Sequence, residues 1–214
     1  MVQHRNSGSG IAYSWRAAGI ALLLAFGLAA VPQSAQAQGS ASRKFLEAVR
    51  KGDNDAILKA IEVPGVTPIN TRDQDSGETP LLVVIGKRDL IMTNYILAHG
   101  ARADLADNSG RSPLMLAVER RFVEGVQLLL GRKASPNQTN SSGETPLIRA
   151  VQLGDLGTVQ LLLAAGGDPN RRDTLAGMSA IDYAQRDRRG TGIVEALQAK
   201  AKTAPAKGVA GPQL

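Results

Sequence analysis

The sequence predicts an all-α fold, a solenoid of stacked helix–turn–helix units, and three observations predict it. Landmarks recur every 33 residues: Gly77, Gly110 and Gly143; Pro80, Pro113 and Pro146; Asp104, Asn137 and Asn170. A fixed period of this length marks a repeat architecture. After each proline, apolar residues fall at i, i+3 and i+4, as in Leu81, Val84 and Ile85, then Leu114, Ala117 and Val118, then Leu147, Ala150 and Val151. That spacing is one face of a helix. A single unit of this size cannot bury its own stripe, so stacked neighbours must supply the core.

Taken in order, residues 1–37 read as an export signal. Arg5 and Arg16 give a basic start without acids, Gly19–Val31 is an uncharged apolar run of thirteen residues, and Ala35-Gln36-Ala37 places small residues at −3 and −1 of a cut after Ala37. The run is shorter than the roughly 20 residues a membrane span needs. The expectation is a secreted or periplasmic protein with its cleavage site at Ala35 and Ala37, and no membrane association after cleavage. The alternative is an envelope-tethered scaffold held by an uncleaved N-terminus.

Residues 38–200 form the expected repeat domain of about five units. Residues 42–70 hold two helical patterns broken at Gly52-Asp53 and read as an N-terminal cap. Three internal copies follow, at 76–104, 109–137 and 142–170. In each, Thr79, Ser112 or Thr145 precedes the proline: the hydroxyl can cap a helix whose first turn suits proline. The second helix carries apolar triplets, Leu128–Leu130 and Leu161–Leu163. Gly100 and Gly166 close second helices where a left-handed residue is favoured, and Lys133 takes that place in the middle copy. Residues 173–200, with Ser179-Ala180 in place of Thr-Pro, read as a C-terminal cap, and 201–214, rich in Ala, Pro, Gly and Lys, as a disordered tail.

Composition narrows the function. The chain has 214 residues, a formal net charge of +6, no cysteine and two histidines. Disulfide frameworks, thiol nucleophiles and cysteine-ligated metals are excluded, and of the histidines only His99 lies outside the signal segment. No metal-loop, phosphate-loop or catalytic spacing occurs, so the chain is expected to be no enzyme, with no cofactor and no metal. Removing Arg5 and Arg16 with the signal lowers the charge from +6 to +4. That mild excess, with few aromatics to stack bases, argues against nucleic acid. The basic clusters in the two caps suit the polar outer faces that end units need, and the alternative reading is a basic patch for an acidic partner.

The phrases Thr79-Pro80-Leu81, Ser112-Pro113-Leu114 and Thr145-Pro146-Leu147, with Leu-rich second helices and Ala101, Ala134 or Gly167 before Asp104, Asn137 and Asn170, resemble the ankyrin repeat. The resemblance covers about residues 42–200 and is to the exported bacterial type. It departs from the pattern at Leu82, Met115 and Ile148, which stand for the histidine of the core phrase, and at Arg88 and Arg121, which stand for the glycine between helices kept only at Gly154.

The resemblance implies projecting β-turn fingers and a concave face, made by finger tips and first helices, on which another protein docks a monomeric module. Mapped onto this chain, that face comprises Asp75, Ser76, Glu78 and Lys87, then Asn108, Ser109, Arg111, Glu119 and Arg120, then Ser141, Ser142, Glu144 and Gln152. It carries no aromatic or apolar anchor, which leaves Arg111 and Arg120 as the strongest candidates.

Overall fold

The computed structural model describes residues 33–62, 68–187 and 190–203, except the side chains of 33–38 and 40. The apolar run of the expected signal and the residues from 204 onward lie outside these. Among the described residues there are ten α-helices in five pairs and no β-strand: α1 (Gln33–Lys51) with α2 (Asn54–Glu62), α3 (Pro80–Gly86) with α4 (Leu90–Ala98), α5 (Pro113–Glu119) with α6 (Val123–Gly131), α7 (Pro146–Leu153) with α8 (Leu156–Ala164), and α9 (Ala180–Arg186) with α10 (Thr191–Thr203). The five pairs are the five expected units. Helix α10 continues through Thr203, beyond the boundary at 200 that composition suggested. The described residues from Gln38 onward gather into one compact unit.

Local chemistry starts the first helices α3, α5, α7 and α9. The side chains of Thr79, Ser112 and Thr145 accept from the amides of Leu82, Met115 and Ile148, with proline opening each helix. Ser179 does the same for Asp182, whose carboxylate answers the Ser179 amide to complete a capping box. Asp89 and Asp155 cap α4 and α8. At the same place before α6 stands Phe122, which makes no side-chain cap. Its ring is buried instead, in space that a Cβ on Gly125 would fill.

The helices pack in two rows. Helices α3, α5, α7 and α9 follow one another in the first row, and α4, α6 and α8 in the second, with α10 against α8 and α9. Helix α1 joins the same core through Phe45, Leu46 and Val49. First helices are more enclosed than one stripe requires: every residue from Pro80 to Ile85 and from Pro113 to Val118 is buried. Helix α5 lies between α3 and α7, α3 between α5 and the turn at Pro68–Asn70, and each is backed by its own second helix. In α6 and α8 the middle leucines, Leu129 and Leu162, are fully buried, while Leu128 and Leu161 are half-buried.

Loops are tied unit to unit. Asn70 accepts from the Arg102 amide and donates to the Gly100 carbonyl, and Asn137 does the same with Asp168 and Gly166. The Asp104 carboxylate, which cannot donate, accepts from the Ser135 amide, and its carbonyl accepts from the Gln138 side chain. At Asp104 and Asn137 the landmark of the 33-residue period is therefore a tie to the next loop.

Candidate functional site

The fingers are hairpins folded by one side chain each. Asp107 Oδ1 accepts from the amides of Ser109 and Arg111 and from the Ser109 hydroxyl, while the Asp107 amide donates to the Arg111 carbonyl. Asn140 accepts from the Ser142 and Glu144 amides in the same way. Asp73 and Asp173 open the first and last fingers, which are one residue longer: their amides donate to Glu78 and Met178. Successive fingers are then stitched in a ladder. The amide of Asn108 donates to the Ser76 carbonyl at 3.0 Å, Ser141 to Ser109 at 2.8 Å, and Thr174 to Ser142 at 2.9 Å. The approach is close enough to require glycine: a Cβ on Gly143, whose φ is +73°, would lie 2.7 Å from the Thr174 nitrogen.

These hydrogen bonds set the electrostatics. The Ser76 amide, then the Arg50 guanidinium and the Ser76 hydroxyl, hold the Asp73 carboxyl well below the usual carboxylate range. Burial works to raise Asp107, but the Ser109 hydroxyl, the Arg111 amide and the Arg111 charge outweigh it and leave the group lowered. Asp173 is likewise lowered against its burial, chiefly by the Tyr183 hydroxyl, which donates at 2.6 Å. The same bond, with burial, raises Tyr183.

On the face made by the fingers and first helices, a finger side chain meets a first-helix side chain in unit after unit. Arg50 of α1 bonds Asp73 and Glu78 at 2.8 and 2.9 Å. Arg111 pairs with Asp107 at 3.0 Å and Glu119 at 3.6 Å, and Glu119 faces Arg149 at 3.8 Å. Arg149 donates to Gln152, and Gln152 to Glu144. In the last unit Arg186 lies 4.9 Å over the Tyr183 ring and approaches the Met178 sulfur. At the first end, α1 and residues 71–75 enclose a cleft of about 490 Å³ lined by Arg43, Glu47, Arg50, Arg72 and Asp75 among others.

The expected site residues therefore separate into two groups. Glu78, Arg111, Glu119, Glu144 and Gln152 are on the face but engaged in this network. Asn108 is engaged too, accepting from Arg72 and donating to the Asp75 carbonyl. Ser76, Ser109 and Ser142 belong to the hairpin turns and the ladder. Lys87 serves the fold: its Nζ donates to the Val49 and Arg50 carbonyls at the end of α1. Asp75, Arg120 and Ser141 are exposed, and their side chains have no hydrogen bond or ion pair among the described residues.

Three participants, Arg149, Leu175 and Met178, were not legible as site residues. Arg149 occupies a first-helix position where Val83 and Leu116 stand in the two preceding copies, a break in the pattern that could have marked it. Leu175, at the last finger, is 80% exposed. Met178 and Arg186 provide the apolar and aromatic-backed contact that the other units lack.

The family model described as "Ankyrin repeats (3 copies)" matches residues 45–140 and 122–204. The chain belongs to the ankyrin-repeat family. No curated protein matches it. Ankyrin repeats are in general protein–protein interaction modules, typically without catalysis, and among the described residues no group of three or more metal-ligating side chains converges.

Proposed function

We propose that this ankyrin-repeat chain is an exported, non-catalytic module that binds another protein through the face made by its fingers and first helices, acting as a monomer in the periplasm or outside the cell. The observation that carries the binding reading is the division of that face. The network from Asp107 through Arg111, Glu119, Arg149 and Gln152 to Glu144 holds the side chains in place, while Arg120, Asp75 and Ser141 beside it remain unpaired. A preorganised charged surface with unspent donors and acceptors favours specific polar docking. Arg120 is the foremost anchor. Arg111 positions the network more than it offers a free guanidinium.

Export is supported by the basic start, the apolar run and the Ala35-x-Ala37 site.

Photo-cross-linking in the native cell tests the binding reading. A cross-linker at Arg120 or Ser141 is expected to trap one discrete partner, and one at Gln127 or Gln160, exposed on the second-helix row, is not. Equal trapping from both rows would defeat it. N-terminal sequencing of the exported protein tests the export reading: the chain should begin at Gln38, and a chain beginning at Met1 would refute cleavage.

A further inference from the structure

The finger ladder has an open end. Ser76, Ser109 and Ser142 each give a carbonyl to the amide of the next finger, and each lies immediately before the finger glycine. The matching residue of the last finger is Ala176, before Gly177, and among the described residues no amide reaches its carbonyl. A Cβ added to Gly177 meets nothing within 4 Å, whereas Gly77, Gly110 and Gly143 are all crowded by the next finger. The last hairpin is thus built like the others and lacks the neighbour they have.

Its side chains differ in character too. Where the other tips carry Gln74-Asp75, Asn108-Ser109 and Ser141-Ser142, this one carries Thr174, Leu175 and Ala176, with Leu175 80% exposed. Half-buried Met178 lies alongside. The accessible charge around them is cationic. Arg171 is exposed without a partner among the described residues. In the Arg172–Asp182 pair the arginine is 63% exposed and the aspartate 34%, and in Arg186–Asp187 the values are 56% and 25%. Asp173 is buried and its oxygens are taken by Tyr183, Ala176 and Gly177.

We infer that the last finger receives an extended segment of the partner protein, aliphatic and acidic in character, which continues the ladder. Its backbone N–H donates to the Ala176 carbonyl, an aliphatic side chain covers Leu175 and Met178, and a carboxylate meets Arg171 or Arg172. Backbone addition to an exposed edge is a common mode of peptide recognition, with main-chain bonds giving affinity and side chains specificity. This deepens the protein-binding reading by naming the chemistry of one end of the partner, and it rests on that reading.

The test is a titration of the isotope-labelled protein, followed by amide NMR, with capped pentapeptides. One alternates glutamate and leucine, a second has lysine for glutamate, a third serine for leucine, and a fourth is the first with its central leucine N-methylated. The first peptide is expected to give saturable shifts confined to residues 171–178, and the other three to bind at least about 10-fold more weakly. Leu175→Asp, at an exposed site that leaves the rest of the spectrum unchanged, should weaken the first peptide by a similar factor. Saturable binding of the lysine peptide as strongly as the glutamate one, unimpaired binding after N-methylation, or no saturable shift at 171–178 would each overturn the inference. Failure here leaves the cross-linking result at Arg120 and Ser141 standing, so the two readings fail separately.

Discussion

The middle and last fingers share one design and differ in their surroundings. Each is opened by an aspartate that gathers the turn's amides, Asp107 in one and Asp173 in the other, and each turns at a glycine with positive φ. The middle finger is held from both sides, giving its Ser109 carbonyl to Ser141 and sitting against the Ser76 carbonyl through Asn108. The last finger is held from one side by the Thr174 amide and from below by the Tyr183 hydroxyl. Local hydrogen bonding therefore makes the hairpin, and stacking decides how much of it is left for a partner. In a solenoid each unit touches only its neighbours, so an end unit keeps the repeat's conformation and exposes what the repeat normally spends on the next copy.

The largest effect should come from the middle of the stack. Leu129 is fully buried in α6, and Leu129→Ala is expected to cost about 2–5 kcal/mol in chemical denaturation. Glu119→Ala, on the finger-side face, should cost no more than about 1 kcal/mol, since its arginine partners are exposed and stand at 3.6 and 3.8 Å. Equal costs would contradict the register that places one in the core and the other on the face.

The comparison between fingers is sharpened by the same substitution made twice. Gly143 and Gly177 have φ of +73° and +64°, so an alanine at either incurs about 1–2 kcal/mol of left-handed strain. Only at Gly143 would the new Cβ also strike the next finger, 2.7 Å from the Thr174 nitrogen. Overpacking of that kind typically adds about 1–3 kcal/mol. Gly143→Ala should therefore destabilise clearly more than Gly177→Ala, and similar values for the two would show that the last finger is covered after all.

Acid titration separates the two supports of the fingers. Asp73, Asp107, Asp173 and Asp182 have folded pKa values lowered from the ordinary one. A lowered folded pKa means that the stability these groups contribute is fully present above about pH 4, the unfolded carboxylate range, and is lost as pH falls from there through the folded values. Denaturation midpoints should be flat between about pH 7 and 5 and fall below 4. Asp107→Asn should flatten part of that fall with little loss at neutral pH, because Asn140 already performs the turn's role without charge. Tyr183→Phe, which leaves the Asp173 carboxylate without its hydroxyl donor, should cost about 1.5–3 kcal/mol at neutral pH. Loss of acid sensitivity in neither variant would mean that the finger carboxylates are not the titrating groups.

The fold was legible because its causes are periodic. Threonine or serine before proline and the apolar spacing after it repeat at 33 residues, as does the tie to the next loop from Asp104 and Asn137, and each maps to a hydrogen bond or a buried contact. The site was legible in outline and not in detail. The resemblance pointed to the face, but which of its charges are free depends on partners from other units. Lys87 reaches back to α1, and Arg111 is drawn to Asp107 and Glu119, contacts that residue type alone does not reveal. The features that mattered at the last finger were departures from the period: an extra residue in the hairpin, Leu175 at a polar tip, and Met178 where Arg111 and Glu144 stand in other units. A repeat alignment averages over such positions, which is why the end of the stack was the least readable part.

The smallest expected effect tests the turns between paired helices, where Arg88, Arg121 and Gly154 occupy the same position with φ of 58°, 52° and 69°. Glycine adopts this conformation freely, while an arginine is strained there. Arg121 offsets the strain by donating to the Leu153 carbonyl at 2.9 Å, which ties one unit to the next. Arg88 is exposed, and its side chain has no such bond among the described residues. Arg88→Gly should therefore stabilise the chain by about 0.5–1 kcal/mol, whereas Arg121→Gly should be near neutral, because relief of strain is set against a lost hydrogen bond. Thermal melts of the two variants side by side would measure the difference. A gain at Arg121 equal to that at Arg88 would mean that the Leu153 contact contributes nothing, and that these turns, unlike the fingers, are not coupled from unit to unit.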